Sequence, residues 1–99
     1  MSQNRITKAA RGRDCMVRIP GICNGNPETV VLAHYRLAGT CGTGYKPNDL
    51  QGAWACDGCH SAIDGRSKTD FTQDELRLMH AEGCFRTLDT LVREGLVKL

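Results

Sequence analysis

Cys56-Asp-Gly-Cys59-His60 is the feature that most limits what this chain of 99 residues can fold into. Two thiolates three positions apart can grip one soft cation through a tight turn, and such a knuckle usually opens a helix. That predicts His60 in the first helical turn and Asp64 one turn later on the same face. One short element then offers two sulfur ligands on one side and a harder N/O pair, His60 and Asp64, on another. A domain this small buries only about 60–65% of its unfolded surface. The only aromatic residues are Trp54, Tyr35, Tyr45, Phe71 and Phe85. The apolar core is therefore thin, and a metal or disulfide staple is expected.

Six cysteines would suit a secreted disulfide framework, but Met1–Asp14 is polar and basic and contains no apolar run of a signal peptide. No segment approaches the ~18 consecutive apolar residues of a membrane helix. The expectation is a cytoplasmic protein with no membrane partner, and in a reducing compartment clustered cysteines usually bind metal. The net charge of +2 conceals an asymmetry. Residues 1–48 carry seven Lys or Arg against Asp14 and Glu28, whereas residues 49–99 carry six against nine acids. A basic first half suits a polyanion partner such as DNA or RNA. Charge alone suits a solvated, disordered tail equally well.

Residues 1–14 show no periodicity and read as a flexible basic arm ahead of a single domain over 15–99. Cys15 to Cys23 reads as two short strands around the Pro20-Gly21 turn. That hairpin would bring Cys15 and Cys23 to one end, as the second half of a four-cysteine zinc site with Cys56 and Cys59. The alternative is a hairpin with two buried cysteines. Glu28–Tyr35 is rich in β-branched and apolar residues and reads as a buried strand with His34 at its end. Arg36–Pro47, with Gly39, Gly42 and Gly44, reads as a flexible loop in which Cys41 is a free thiol, with a metal ligand as the alternative. Asn48-Asp49-Leu50 would turn the chain into a second strand over Gly52–Cys56.

Beyond the knuckle, Asp64–Asp70 is a polar connector carrying Arg66 and Lys68. Thr72-x-x-Glu75 is a capping box, and it opens the clearest helix, over about 72–94. Leu76, Met79, His80, Gly83, Cys84, Thr87, Leu88, Leu91 and Val92 give that helix one apolar face, and Gly95 stands where a C′ residue belongs. His80 and Cys84 read as packing residues, and the helix as scaffold.

Three chemistries use Cys-x-x-Cys-His. It is the attachment signature of c-type haem, which normally needs export and would leave four cysteines unexplained. It suits a structural zinc module that binds nucleic acid, or a zinc ribbon that binds a protein, without cutting anything. It also suits a metal-dependent nuclease. The order of parts favours the last: a strand ending in His34, a turn with Asn48-Asp49, then a knuckle followed directly by His60.

That order resembles the HNH (ββα-metal) nucleases, whose zinc-bearing members run Cys…Cys, strand–His, Asn, then Cys-x-x-Cys-His. More closely, the chain resembles the YbcO-like small nucleases of lambdoid prophages. The resemblance is carried by Cys15-x-Val-Arg-Ile-Pro-Gly-x-Cys23-Asn-Gly-Asn-Pro-Glu-Thr, Leu32-Ala-His34, Cys41-Gly-Thr-Gly, Lys46-Pro, Asp49-Leu and Ala55-Cys-x-x-Cys-His-x-x-Ile-Asp64. It is dense over residues 15–66 and loose over the C-terminal helix. It implies a small α+β fold, a zinc-stapled treble-clef/ββα-metal (HNH-like) domain with its metal core over 15–66 and a C-terminal packing helix.

The resemblance also implies an endonuclease hydrolysing phosphodiester bonds, in DNA first of all. His34 would be the base, because imidazole titrates near neutral pH. Asn48 would orient that base or its loop, with Asp49 able to take the place. His60, with Asp64, would hold a divalent ion such as Mg²⁺ or Mn²⁺, while Cys15, Cys23, Cys56 and Cys59 hold zinc for structure. Arg36, Arg66 and Lys68 would contact phosphates on either side of the cut, and a homodimer would suit a double-strand cut. One departure stands out. The common HNH motif has a metal-binding Asp or His directly before the base, where this chain has Ala33. Either Asp49 or Asp64 supplies that ligand, or His34 is itself a ligand, or the ion binds weakly, or the protein binds without cutting. His60 has its own alternative, as a zinc ligand in place of Cys15 or Cys23.

Overall fold

The computed structural model describes residues 5–98. In chain order its elements are α1 (Arg5–Ala9), β1 (Val31–His34), β2 (Gly52–Ala55), α2 (Asp57–Ile63) and α3 (Gln73–Arg93), with short 3-10 turns at Pro27–Thr29 and Asp49–Gln51. β1 and β2 pair antiparallel, from Val31 opposite Ala55 to His34 opposite Gly52. β2 reads Gly-Ala-Trp-Ala and is buried along its whole length. Its small residues let α3 lie close against the sheet, and Trp54 supplies the bulk. Burying one indole removes on the order of 200 Å² of apolar surface, worth roughly 4–5 kcal/mol before entropy is counted. The Trp54 amide donates to Thr87 Oγ1 at 3.0 Å, which fixes α3 on the strand.

α3 starts where its capping box requires. Thr72 Oγ1 accepts from the Glu75 amide at 3.1 Å, and the Glu75 carboxylate accepts from the Thr72 amide at 2.8 Å. It ends before Gly95, whose φ of +75° is a left-handed cap conformation that glycine adopts freely. Its inward stripe is His80, Gly83, Thr87 and Leu91, at helical spacing. Gly83 cannot carry a side chain without movement: a Cβ would meet Val17 Cγ2 at 2.9 Å and Val17 Cα at 3.0 Å. The helix therefore rides directly on the loop that bears Cys15.

Two expectations from the sequence fail here. Cys15–Cys23 is not a pair of strands but an irregular loop around the Pro20-Gly21 turn, with Gly21 at φ +73°. Arg18 sits in the left-handed region at φ +57°, which breaks any extended run. The Arg18, Ile22 and Cys23 amides point at the Cys15 sulfur and the Ile19 carbonyl, and the Met16 amide donates to the Trp54 carbonyl of β2 at 2.7 Å. The described part of the expected free arm also packs on the body. α1 forms, Ala10 is buried, and the Ile6 carbonyl accepts from Trp54 Nε1 at 3.4 Å. Arg13 lies over the Trp54 ring at 4.9 Å and pairs with Glu94 at the end of α3. Residues 1–4 of the expected arm lie outside the described residues. None of the described helices is long and apolar enough to cross a membrane.

Candidate functional site

Cys56 caps the N-terminus of α2, its sulfur accepting from the Cys59 amide at 3.4 Å. Across from it the Cys15 sulfur accepts from the Arg18 amide at 3.5 Å, and the Cys59 sulfur from the Ile19 amide at 3.4 Å. Gly58 lets the two pieces close, since a Cβ there would stand 2.5 Å from the Ile22 carbonyl oxygen. The result gathers Cys15, Cys23, Cys56 and Cys59 with their sulfurs all within 4.8 Å of one another. Cys15 lies 3.6 Å from Cys59, and Cys23 lies 3.8 Å from Cys56. A tetrahedral zinc with bonds of about 2.3 Å spaces its sulfurs roughly 3.8 Å apart. The donor set fits zinc in number, softness and spacing.

The thiols of the cluster differ in how readily they ionise. A hydrogen bond from Cys59, helped by the Arg18 amide, draws the Cys15 thiol down to about 4, and the same bond pushes Cys59 up. Burial raises Cys23. Packed sulfurs thus hold on to protons unevenly, and a dication would displace them. Neither His60 nor Cys41 belongs to this cluster; the Cys41 thiol instead points to the Leu37 carbonyl at 3.7 Å.

The C-terminal half of α2 faces a different environment. His34, Tyr35, Arg36, Asp64, Arg77 and His80, with three more residues, line a cleft of about 300 Å³. His34 ends β1 and lies opposite Gly52, so the 3-10 turn leading into β2 falls beside it. Asn48 Oδ1 caps that turn, accepting from the Leu50 amide at 2.9 Å. The capped turn aims Asp49, whose Oδ1 lies 2.7 Å from His34 Nε2, with the two side chains only 20% and 18% exposed. A carboxylate can only accept, so this bond places the imidazole proton on Nε2 and leaves the Nδ1 lone pair available. Thr7 of α1 approaches the other oxygen of Asp49 at 3.4 Å.

His60 and Asp64 stand one turn apart, with Nε2 and Oδ2 separated by 3.2 Å, and Arg66 Nη2 lies 3.4 Å from the same carboxylate oxygen. Cis ligands on a six-coordinate ion with bonds of about 2.1 Å lie roughly 3 Å apart, so the pair matches two positions on a Mg²⁺- or Mn²⁺-sized ion. Of the expected phosphate contacts, Arg36 lines the cleft, and Arg66 reaches it through Asp64. Lys68 does not line it; it borders a separate groove with Pro20, Gly21 and Ile22.

The sequence reading missed Arg77 and Tyr35. Arg77 lies over the Tyr35 ring at 4.6 Å, and that ring meets His80 at 5.1 Å. Gln73, Arg77 and His80, four and three residues apart, form a polar stripe on α3 that borders the cleft. That spacing was the available signal, obscured by reading the helix as scaffold. His80 is buried and its Nε2–H donates to the Ala33 carbonyl at 2.9 Å, as a packing residue should. Burial pushes its pKa below the ordinary histidine value.

An antiparallel hairpin and short helix around a four-thiolate cluster, with a histidine–carboxylate cleft beside it, define a small α+β domain able to hold a structural metal. The family model described as "Putative nuclease YbcO" matches residues 4–96, and the chain belongs to the YbcO family. It is 54% identical over 94 residues to "Putative nuclease YbcO" of Escherichia coli (strain K12), covering 94% of this chain and 96% of that protein. The relative named "Putative nuclease ybcO" from Enterobacteria phage 82 gives the same identity and coverage. A solved structure titled "Structure of a putative bacteriophage protein from Escherichia coli str. K-12 substr. MG1655" superposes with a TM-score of 0.77 at 46% identity. The match covers 91% of this chain and 99% of that one.

Proposed function

We propose that the chain is a metal-dependent endonuclease that hydrolyses phosphodiester bonds in DNA by an HNH-type mechanism, within a treble-clef/ββα-metal domain. The observation that carries this reading is that His34, bonded to Asp49 behind it, lines the same cleft as Asp64. The family's description as a nuclease supports it. His34 takes a proton from the attacking water at Nδ1, and Asp49 fixes the tautomer and stabilises the imidazolium that results. Asn48 acts one step back, by capping the turn that aims Asp49. Arg36 and Arg77 line the cleft as cations for the phosphates flanking the cut. His60 and Asp64 would hold a divalent ion, and the chemistry such an ion would supply there is positive charge beside the scissile phosphate. The four cysteines would hold zinc and take no part in the chemistry.

Ala33 favours a second reading, a domain that binds nucleic acid without cutting it. Its side chain is buried on the core side of β1, so the position before the base provides no ligand. A His34→Ala variant separates the two. Loss of a general base lowers cleavage by about 10²–10⁴-fold, while zinc content, thermal melting and DNA affinity stay as in the parent protein. Unchanged cleavage in that variant removes His34 from the mechanism. Absence of cleavage by the parent with Mg²⁺, Mn²⁺ or Ni²⁺ leaves the binding module.

A further inference from the structure

Between Arg36 and Pro47 the chain folds back on itself beside the cleft. Isolated bridges join Ala38 to Cys41 and Gly42 to Tyr45. Gly42 and Tyr45 exchange amide-to-carbonyl hydrogen bonds at 3.2 Å each way around Thr43-Gly44, with Gly44 at φ +88°. This tight turn presents Tyr45 outward, 60% exposed. The ring rests against the bare Cα of Gly42: a Cβ there would lie 3.3 Å from Tyr45 Cε1 and 3.7 Å from Cζ. One side of the ring is therefore backed by the turn while the rest stays open to solvent. Arg36 and Lys46 line the same shallow concavity, of about 600 Å³, with Gly42, Gly44 and Tyr45. Among the described residues neither cation is paired with a carboxylate. Arg36 also lines the His34 cleft, so the concavity and the cleft share a wall.

An exposed aromatic ring held from behind, sharing one concavity with two cations, matches the elements of a single-stranded nucleic-acid site. The ring offers a face to one base, and the cations lie where that nucleotide's phosphates run. A base inside a duplex already has both faces stacked and cannot use such a ring. We infer that Tyr45, flanked by Arg36 and Lys46, is a stacking platform for an unpaired nucleobase next to the scissile phosphate. The substrate class is then a DNA or RNA strand with unpaired bases at the cut, such as a loop, flap or branch, rather than uninterrupted duplex. This rests on the nuclease reading for its location beside the cut.

The test is fluorescence anisotropy with zinc-loaded protein and no added Mg²⁺, using labelled oligothymidylate, oligouridylate and a DNA duplex of equal length. Stacking of one base supports an affinity loss of about tenfold for Tyr45→Ala on single strands. Duplex binding changes little, and Tyr45→Phe keeps parental affinity. Lys46→Gln lowers the salt dependence on single strands by roughly one counterion. Whether oligothymidylate or oligouridylate loses more identifies the natural strand. Zinc content and melting confirm that each variant is folded. A parent that does not bind single strands, a Tyr45→Ala variant that binds them normally, or an equal loss on duplex and single strand overturns the platform. Cleavage by the same proteins separates this from the nuclease reading. Undiminished cutting of every substrate by Tyr45→Ala keeps the nuclease and discards the platform. Tyr45-dependent binding without cleavage under any metal does the reverse.

Discussion

The two ends of α2 carry opposite kinds of side chain. At its N-terminus Cys56 and Cys59 are fully buried, bonded to backbone amides and surrounded by two more sulfurs. One turn on, the side chains of His60 and Asp64 are 28% and 44% exposed, and Asp64 lines the cleft. Seven residues of helix thus join a buried sulfur cluster to a more exposed imidazole–carboxylate pair. Soft thiolates in a closed cluster suit a zinc held for stability, because nothing can reach it. Imidazole and carboxylate at a cleft edge leave positions for water and substrate, which an ion engaged in chemistry needs. The comparison predicts that damage at one end unfolds the protein, and damage at the other silences it.

The largest effect is expected at the closed end. Structural zinc contributes roughly 10–16 kcal/mol to folding in small zinc domains, comparable to the whole stability of a domain of this size. Cys59→Ser, or zinc removal by a strong chelator, should therefore abolish the folded state by circular dichroism. A Cys59→Ser protein that stays folded without zinc would break the comparison. At the open end, Asp49→Asn should lower cleavage by about 10–100-fold while melting and zinc content hold, because the amide no longer stabilises the imidazolium. A smaller, purely structural change is expected from Thr72→Ala. Loss of that N-cap costs about 1 kcal/mol, read as a lower denaturation midpoint, with cleavage of the folded protein unchanged.

The smallest effect concerns His80, which packs behind the cleft. Burial favours its neutral form in the native state, while the unfolded chain takes up a proton near the ordinary histidine value of 6.5. The unfolded state binds more protons in that range, so stability falls as pH drops from about 6.5 towards the lower native pKa, and this contribution levels off below it. An NMR titration of the His80 ring should give a midpoint below the ordinary histidine value. A midpoint at or above it would mean that the wall of the cleft is wetter than its burial indicates.

Much of this architecture is legible in the chain because its signals are local. Cys56-x-x-Cys59 and the Thr72/Glu75 capping box each act within one turn, and both appear where spacing places them. The strand opening at Gly52 follows from its apolar run. The one ending at His34 is shorter and less buried than its β-branched run suggests, starting at Val31 after a 3-10 turn with only Ala33 buried. Cys15 and Cys23 do join the cluster, but not through a hairpin. Sulfur acceptors and the left-handed Arg18 outweigh the strand preference of Val17 and Ile19. What stayed hidden depends on distant partners. α1 is held by Trp54 across 48 positions, and Arg13 pairs with Glu94 across 81. Arg77 joins the cleft only because Tyr35 lies beneath it. No local pattern announces such contacts.

The central claim is that one metal staples the fold and a second serves the reaction. It is tested most directly by counting zinc in the purified, dialysed protein and then assaying plasmid and branched DNA before and after adding Mg²⁺ or Mn²⁺. The account predicts one retained zinc per chain, no cutting by that protein alone, and cutting once the second ion is present. Full cleavage by the one-zinc protein with no added ion, or a folded protein holding no zinc, would contradict it.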